Sequence, residues 1–325
     1  MNDARSTRDH PRPTLVISKC LELEACRYNG ERIRAPFIIR LEGFVELRPV
    51  CPEIEIGLGV PRDPIRLVSL GDSPRLTQPS TGRDLTLAMT EFTDSYLSGQ
   101  HDADGFILKS RSPSCGLTDV KRYHPNGQSS GKGAGMFGGG VMERFPHAAV
   151  EDEGRLTNFR LRHHFLTKLF ARASFRAVKA SGSMARLVRF HSEQKFLLMA
   201  YHQGELRRLG RIVANPERHA TADVLDAYEE HFSLALAKPA RSTSNINVLM
   251  HALGYFSDAL AAGEKRHFLT ALDHYRAKHL ALSAPLAIVQ SWIARFGQEY
   301  LAGQSYFEPY PIPLLELRDS AREVH

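Results

Sequence analysis

Four cysteines lie within the first 115 residues of this 325-residue chain, and the remainder contains none. They are Cys20, Cys26, Cys51 and Cys115. Four cysteines are too few for a disulfide scaffold, and in a reducing compartment so small a set more often binds a metal or takes part in catalysis. The C-x2-C pairs of structural zinc sites and the C-x-x-C of redox dithiols are both absent. Single thiolates spread over several loops are compatible with an iron–sulfur cluster, which favours soft sulfur ligands.

The sequence around two of these cysteines differs from that of an ordinary buried cysteine. A lone free cysteine most often packs as a small hydrophobic side chain. Cys51 is followed by Pro52 and Glu53, and Cys115 lies within Ser112-Pro-Ser-Cys-Gly116, which are loop sequences that expose a thiol. For Cys26 three interpretations stay open: a fourth ligand, a thiol beside the ligands, or a buried side chain.

The elements that position these cysteines are predicted to be parallel strands. Apolar runs predict strands at residues 14–18, 44–50 and 105–110. Helical spacing predicts a helix at 83–98 with Thr81 as its N-cap. Strand, helix and strand in this order indicate a parallel α/β sheet. Cys20, Cys51 and Cys115 each follow a predicted strand, and ligands bind at that edge of such sheets, so we expect the three to converge.

The second half of the chain has a helical pattern. From about residue 158 onward, apolar residues recur at helical spacing, and the prolines of residues 306–313 exclude a helix near the end. An acidic joint at 151–154 precedes this region. We therefore predict a Rossmann-like α/β domain over 14–150, an all-α domain over 151–325 and a flexible N-terminus over 1–13.

Positive charge is concentrated in the helical region. Residues 155–218 carry 14 Lys and Arg against three Glu, while the whole chain has a net charge of +6. Such a surplus is typical of a surface that binds a polyanion, although solvated faces of amphipathic helices would also produce it. The candidate RNA contacts in this region are Arg162, Arg172, Arg176, Arg186 and Arg189.

A glycine-rich stretch at 126–140 differs from a P-loop, because three residues instead of four separate Gly127 from Gly131 and no hydroxyl follows Lys132. This spacing argues against nucleoside triphosphate binding. We expect a mobile loop in which Lys132 is available to a substrate phosphate.

The composition predicts a soluble cytoplasmic protein. Apolar residues make up 42% and charged residues 24%, and no apolar run reaches the roughly 18–20 residues that cross a bilayer. The polar N-terminus lacks the apolar core of a secretory signal. We expect no membrane partner, and the sequence does not indicate an oligomeric state.

Three motifs resemble, in order, those of the thiouracil desulfidases. They are Ile17-Ser-Lys-Cys20 with Ala25-Cys-Arg-Tyr-Asn-Gly30, then Pro49-Val-Cys-Pro-Glu53 with Gly57-Leu-Gly-Val-Pro-Arg62, then Leu108-Lys-Ser-Arg-Ser-Pro-Ser-Cys-Gly116. The helical part resembles a domain commonly fused to these enzymes, through Glu151-Asp-Glu-Gly-Arg-Leu156, Arg162-His-His-Phe165 and Pro309-Tyr-Pro311. The two-domain form is similar to proteins that remove sulfur from 4-thiouridine, including in tRNA. After the first cysteine, Leu21-Glu-Leu-Glu24 departs from the family's usual Leu-Leu-Gly.

The resemblance implies a 4Fe-4S cluster held by Cys20, Cys51 and Cys115, with one iron open to the thiocarbonyl sulfur of a thiolated nucleobase, nucleoside or tRNA. It implies hydrolytic removal of the sulfur as hydrosulfide without net electron transfer. It also favours Cys26 as a neighbouring or buried thiol.

Acid–base groups near the ligands are the first candidates for proton transfer, and we predict Glu46, Glu53 and Ser112 in that role. For Glu46 the alternative is a solvent-facing strand position, and for Ser112 a turn-forming hydroxyl. The alternative function is a non-catalytic nucleic-acid-binding protein with structural or redox-sensing cysteines.

Overall fold

The chain begins as alternating strands and helices and continues as helices only, over residues 8–70 and 73–315, which a computed structural model describes. In chain order the elements are β1 (Thr14–Ser18), α1 (Pro36–Leu41), β2 (Glu46–Val50), α2 (Pro52–Glu55), β3 (Arg66–Leu70), β4 (Ser73–Gln78), β5 (Arg83–Asp84), α3 (Thr86–Ser98), β6 (Gly105–Leu108), β7 (Val120–Tyr123), β8 (Ser129–Gly133), α4 (Met136–Arg144), β9 (Ala149–Asp152), α5 (Phe159–Ala180), α6 (Met184–Tyr201), α7 (Gln203–Ala214), α8 (Thr221–Ala235), α9 (Ser242–Gly254), α10 (Ala262–Arg276), α11 (Ser283–Phe296) and α12 (Glu299–Ala302).

The first sheet is parallel and its central strands are fully buried. Its strand order is β2-β1-β6-β9, and each neighbouring pair is parallel. Every residue of β1 and β6 is buried, as in parallel sheets that are covered on both faces. The prediction of an α/β fold with a parallel N-terminal sheet followed by helices is therefore confirmed.

A second sheet of five strands was not predicted. Its order is β5-β4-β3-β7-β8, with β3 and β7 parallel and the other pairs antiparallel. Apart from β3, which reads Arg-Leu-Val-Ser-Leu, these strands are short and polar, so they lack the apolar runs that indicate a buried strand. The glycine-rich stretch supplies β8 and the start of α4, and the expectation of a mobile loop there is wrong.

The predicted N-cap of α3 is also wrong. The helix begins at Thr86, and the side chain of Asp84 accepts a hydrogen bond from the Thr86 N–H at 2.9 Å. Thr81 lies in the preceding turn, where its hydroxyl bonds the side chain of Gln78 at 2.8 Å. The short strand β5 separates this turn from the helix.

The described residues divide into two compact units. Residues 11–173 and 313–315 form one, named here the sheet unit, and residues 8–10 and 174–312 form the other, the helical unit. The division falls within α5, whereas the acidic joint expected at 151–154 contains the end of β9. The division at 150/151 into two functional domains stays a prediction.

The N-terminus predicted to be flexible lies partly outside the described residues. Of the described part, Arg8 donates hydrogen bonds to the Glu193 carboxylate at 2.9 Å and to the Gly303 carbonyl at 2.7 Å. Arg12 donates to the carbonyls of Glu42 and Val45. Both arginines therefore have fixed partners.

The helical unit has an aromatic core, formed by Phe175, Phe190, Tyr228 and Phe232, whose ring centroids are 5.3 to 6.1 Å apart. Stacked and edge-on rings of this kind add to the stabilisation from burial. Over the described residues, no helix is both long enough and apolar enough to span a membrane.

Candidate active site

All four cysteines line one cavity of about 820 Å³ in the sheet unit. Cys20 follows β1 by two residues, Cys51 follows β2 directly, and Cys115 lies in the loop after β6. Because β1, β2 and β6 are parallel neighbours, their C-terminal ends meet at one edge of the sheet. The expected convergence of Cys20, Cys51 and Cys115 is confirmed, and Cys26 joins them on the cavity wall.

Cys26, Cys51 and Cys115 are buried and Cys20 is half-buried, so the expectation that the loop sequences around Cys51 and Cys115 expose a thiol is wrong. Burial raises the pKa of the Cys115 thiol to about 12, and a hydrogen bond with Cys20 raises the pKa of the Cys26 thiol to about 11. The pKa of the Cys51 thiol is also raised, by its hydrogen bond with Cys26 and by burial. Without a bound cation these cysteines are neutral thiols, and thiolate formation requires a metal to compensate the charge.

The donor set fits an iron–sulfur cluster, because cysteine thiolates are the soft ligands that such clusters bind. All four thiol-bearing residues line the same cavity. Within residues 8–70 and 73–315, no three His, Cys, Asp or Glu side chains form a site for a single metal ion.

Glu53 joins the cysteine loops through a hydrogen-bond network. Its Oε2 accepts from Arg62 Nε at 2.9 Å and Nη2 at 2.7 Å, and its Oε1 accepts from Ser114 Oγ at 2.6 Å. Only 14% of the Glu53 side chain and 6% of the Arg62 side chain are exposed. Arg62 also donates to the Cys26 carbonyl at 3.1 Å. One carboxylate thus connects the loops of Cys26, Cys51 and Cys115.

Ser112 forms the turn that presents Cys115. Its hydroxyl oxygen accepts hydrogen bonds from the backbone N–H of Ser114 at 3.3 Å and of Cys115 at 3.1 Å. The same hydroxyl lies 3.4 Å from Glu53 Oε1 and lines the cavity. The turn-forming alternative for Ser112 is therefore correct, and it does not remove Ser112 from the site.

The structure does not bring Glu46 to the cysteines. Glu46 is the first residue of β2 and Cys51 follows the last, so roughly 16 Å of strand separates them. The Glu46 side chain is 59% exposed and pairs with Arg48 at 3.1 Å. It therefore occupies the solvent-facing position that was the alternative to an acid–base role.

Two residues of the network, Arg62 and Ser114, were not singled out from the sequence. Both lie within the motifs around Cys51 and Cys115, and this proximity was the available signal. Arg62 also follows a cis peptide bond between Val60 and Pro61.

The glycines of the 126–140 stretch allow α4 to pack against the Cys115 loop. The first N–H groups of the helix donate to that loop: Met136 to the Pro113 carbonyl at 3.1 Å and Gly138 to the Ser114 carbonyl at 3.0 Å. A Cβ on Gly138 would lie 2.4 Å from the Gly116 carbonyl oxygen and 2.5 Å from that of Cys115. The Cys115 loop thus satisfies helix N–H groups that would otherwise lack partners.

Gly138→Ala is therefore expected to lower both the melting temperature and the iron content, because the added methyl group must displace the Cys115 backbone. Gly139→Ala is the matched control, since its Cβ would meet its nearest neighbour at 3.5 Å. In a helix, alanine is favoured over glycine by about 1 kcal/mol, so the control gains stability or keeps it. Equal melting temperatures and iron contents in the two variants would contradict this packing role.

Most charged side chains around the cavity are basic. The cations that line it are Lys19, Arg27, Arg62, Arg66, Lys109, Arg111, Lys121 and Lys132, whereas the acids are Glu53 and Asp119. The structure thus places Lys132 at the same cavity as the cysteines, on strand β8 instead of a loop. The excess of cations makes the cavity suited to an anionic ligand.

Arg162 is not available as an RNA contact. The residue is 7% exposed, and its guanidinium donates to the carbonyls of Leu156 at 2.8 Å and Thr157 at 3.3 Å. It also lies over the Phe37 and Phe159 rings. The sequence pattern could not distinguish this buried arginine from its exposed neighbours.

The other predicted RNA contacts differ in exposure. Arg172 and Arg176 are half-buried, while Arg186 and Arg189 are exposed on α6. Arg189 pairs with Glu193 at 2.9 Å. Three exposed arginines of α7, Arg207, Arg208 and Arg211, have no carboxylate partner within the described part of the chain. These three belong to the basic segment at residues 155–218 but were not among the predicted RNA contacts.

Comparison with known proteins matches two separate regions of the chain to two different families. The 2-thiouracil desulfurase family matches residues 15–153, and a family described as a protein of unknown function (DUF1722) matches residues 195–311. The chain is 31% identical over 157 residues to the uncharacterized protein YbgA of Escherichia coli, covering 48% of this chain and 92% of YbgA. It is 29% identical over 127 residues to the uncharacterized protein YbbK of Bacillus subtilis, covering 36% of this chain and 80% of YbbK.

One similar solved structure is described as the 4Fe-4S-dependent thiouracil desulfidase TudS. The two share 26% sequence identity with a TM-score of 0.35, over 45% of this chain and 94% of that one. By its family matches, the chain resembles the 2-thiouracil desulfurase family through residues 15–153 and the DUF1722 family through residues 195–311.

Proposed function

We propose that the sheet unit holds a 4Fe-4S cluster on Cys20, Cys51 and Cys115 and removes sulfur from thiolated uracil or 4-thiouridine. The observation that carries this proposal is the placement of all four cysteines on one cavity, in a chain that resembles the 2-thiouracil desulfurase family. When bound, the cluster supplies an open iron, a Lewis acid for the thiocarbonyl sulfur. The neutral thiols around the cavity provide soft ligands once a metal compensates their charge.

The reaction is hydrolytic and needs groups that move protons. A water oxygen forms a bond to the ring carbon, the carbon–sulfur bond breaks, and the sulfur leaves as hydrosulfide with no net electron transfer. Glu53 Oε1 takes a proton from the water, because two N–H groups of Arg62 hold Oε2, whereas the donors on Oε1 are the rotatable hydroxyls of Ser114 at 2.6 Å and Ser112 at 3.4 Å. The Ser112 hydroxyl, 3.4 Å from Oε1, orients the water and passes the proton from Glu53 to the departing sulfur, and the second proton of the water goes to solvent.

Cys26 serves the site as a neighbour of the ligands. Its carbonyl oxygen accepts hydrogen bonds from the Cys51 thiol at 4.0 Å and from Arg62 Nη1 at 3.1 Å. These contacts fix the loop that carries Cys20 while leaving one iron without a protein ligand, as the resemblance implies. Free thiols and an accessible cluster suit the reducing cytoplasm, which is the compartment we propose.

We also propose that the helical unit binds the RNA when the thiolated base lies in tRNA. The exposed arginines of α6 and α7 supply phosphate contacts, which give affinity without sequence reading. The target base must leave its stack to enter a pocket, so a holding surface is needed in addition to the cavity.

The salt dependence of kcat/KM distinguishes RNA binding by the helical unit from desulfidation in the cavity. For 4-thiouridine in tRNA, kcat/KM is expected to fall by at least about tenfold between 50 and 200 mM salt, because phosphate contacts release counterions. For the free nucleoside, kcat/KM should stay nearly constant. The double variant Arg207→Ser with Arg211→Ser should weaken the salt dependence of kcat/KM for tRNA. The control variant Lys238→Ser with Arg266→Ser removes the same charge elsewhere on the helical unit and should leave that salt dependence unchanged. A flat salt response for tRNA would contradict an RNA-holding role.

A further inference from the structure

Basic side chains recur at every fourth residue along the part of α5 that belongs to the sheet unit. They are Arg160, His164, Lys168 and Arg172. Residues four apart in a helix lie on the same face, so the four side chains form one line. Arg160 is exposed and the other three residues are half-buried. These four residues are called the basic stripe below.

The basic stripe concentrates positive charge where water is partly excluded. Burial and the charge of Lys168 lower the pKa of His164 to about 4, and burial and the charge of Arg172 lower the pKa of Lys168 to about 8. Among the residues that the structure describes, no carboxylate pairs with Lys168 or acts on its pKa. Like charges four residues apart destabilise a helix. A carboxylate placed against the stripe would relieve this repulsion.

The chain itself contains a segment with the opposite charge. The residues outside the described ranges are 1–7 and 71–72, with one acid each, and 316–325, with three acids. The three are Glu316, Asp319 and Glu323. Residues 316–325, called the acidic segment below, are therefore the part of the chain best suited to the basic stripe.

The acidic segment starts on the unit that carries the basic stripe. Residues 313–315 and the first half of α5 belong to the sheet unit, and Leu314 is buried. Ten residues span at most about 33–36 Å when extended. The stripe covers twelve residues of helix, or about 18 Å at 1.5 Å per residue. The acidic segment is thus long enough to cover the whole stripe.

We propose that the acidic segment docks on the basic stripe and shields it from RNA. Carboxylates and cationic side chains form charge-assisted hydrogen bonds, which are stronger than bonds between neutral groups. With the stripe covered, the arginines of α6 and α7 remain as the surface for RNA phosphates. The docking goes beyond the proposed function, because it requires neither the cluster nor a thiolated substrate.

Acetylation of the Lys168 amine reports whether the basic stripe is covered. The anaerobically prepared holoprotein is treated briefly with acetic anhydride, and mass spectrometry compares the rate at Lys168 with that at the exposed Lys238. Removing the three acids should raise the relative rate at least about tenfold, the shift expected when one charge-assisted hydrogen bond is lost. This acid-free variant is Glu316→Gln with Asp319→Asn and Glu323→Gln.

The matched control changes charges of the opposite sign in the same segment. Arg318→Gln with Arg322→Gln keeps the three acids and should leave Lys168 as protected as in the native chain. Melting temperatures of both variants show whether the fold is intact. Equal acetylation of Lys168 in the native chain and in the acid-free variant overturns the docking, and so does an equal increase in the control.

Unthiolated tRNA tests the shielding. The acid-free variant should bind it at least about tenfold more tightly than the native chain, and bound tRNA should protect Lys168 only in that variant. Unchanged affinity overturns the shielding. Protection of Lys168 by tRNA in the native chain makes RNA the occupant of the stripe and overturns the proposal. Failure of the proposed function is a different result, in which the acetylation pattern is as expected but 4-thiouridine keeps its sulfur.

Discussion

Cys51→Ser is expected to abolish iron binding and desulfidation together. Cys51 lies directly after β2, and its buried thiol donates a hydrogen bond to the Cys26 carbonyl at 4.0 Å, so the side chain has a defined place in the cavity wall. Serine keeps the size but replaces the soft sulfur with a hard oxygen, a poor ligand for an iron–sulfur cluster. Cys20→Ser and Cys115→Ser should behave in the same way. Iron per chain, acid-labile sulfide and hydrosulfide release from 4-thiouridine are measured for each variant.

Cys26→Ser is the matched control on the same cavity. It should retain iron and most of the activity, because the proposed ligand set does not include Cys26. Thermal unfolding of all four variants separates a lost ligand from a lost fold. The ligand assignment fails if Cys51→Ser keeps full iron, or if Cys26→Ser loses as much iron as the other three.

Glu53→Gln is expected to keep the cluster and to lower kcat by about 10²- to 10⁴-fold, the usual contribution of a general base. The amide preserves the shape of the side chain, but it takes up no proton. It also leaves the Arg62 guanidinium, 6% exposed, without its carboxylate, and breaking a buried pair costs several kcal/mol. The double variant Glu53→Gln with Arg62→Met removes both charges. It should recover part of that stability but none of the activity.

Glu46→Gln provides the control for a carboxylate outside the site. Glu46 is exposed and pairs with Arg48, so its loss should change neither kcat nor iron content. Surface pairs of this kind contribute about 0–1 kcal/mol, and the melting temperature should change little. An iron-loaded Glu53→Gln protein with full kcat would exclude Glu53 as the base.

The sequence was sufficient to predict the convergence of the cysteines, because that convergence follows from strand order. Buried parallel strands have continuous apolar runs, and β1 is such a run directly before Cys20. The second sheet has no such signal: β8 reads Ser-Ser-Gly-Lys-Gly and becomes a strand only through its pairing with β7. Its cations, Lys121 and Arg66, therefore could not be assigned to the cavity from the sequence.

Contacts between residues that are distant in the sequence explain the remaining differences between the predicted and the observed structure. Glu46 and Glu53 both lie near Cys51 in the sequence, but only Glu53 lies at the end of the strand where the cysteines converge. Arg162 and Arg186 belong to the same basic segment, and burial against Phe37 and Phe159 separates the first from the second. Glycines 135 and 138 suggested a mobile loop, whereas they permit close contact with the Cys115 backbone. These contacts join distant parts of the chain, and no local pattern encodes them.

The most direct test of the central claim is a single anaerobic turnover experiment in water labelled with oxygen-18. The iron-loaded protein is incubated with 4-thiouridine, its 5′-monophosphate and 2-thiouracil, and the products are analysed by mass spectrometry together with the hydrosulfide released. The account predicts that one labelled oxygen replaces each sulfur lost, that one hydrosulfide appears per product, and that Cys51→Ser protein gives neither. Iron-loaded protein that leaves all three substrates intact, or colourless protein that binds zinc and tRNA without releasing sulfur, would contradict it and favour a nucleic-acid-binding protein with structural cysteines.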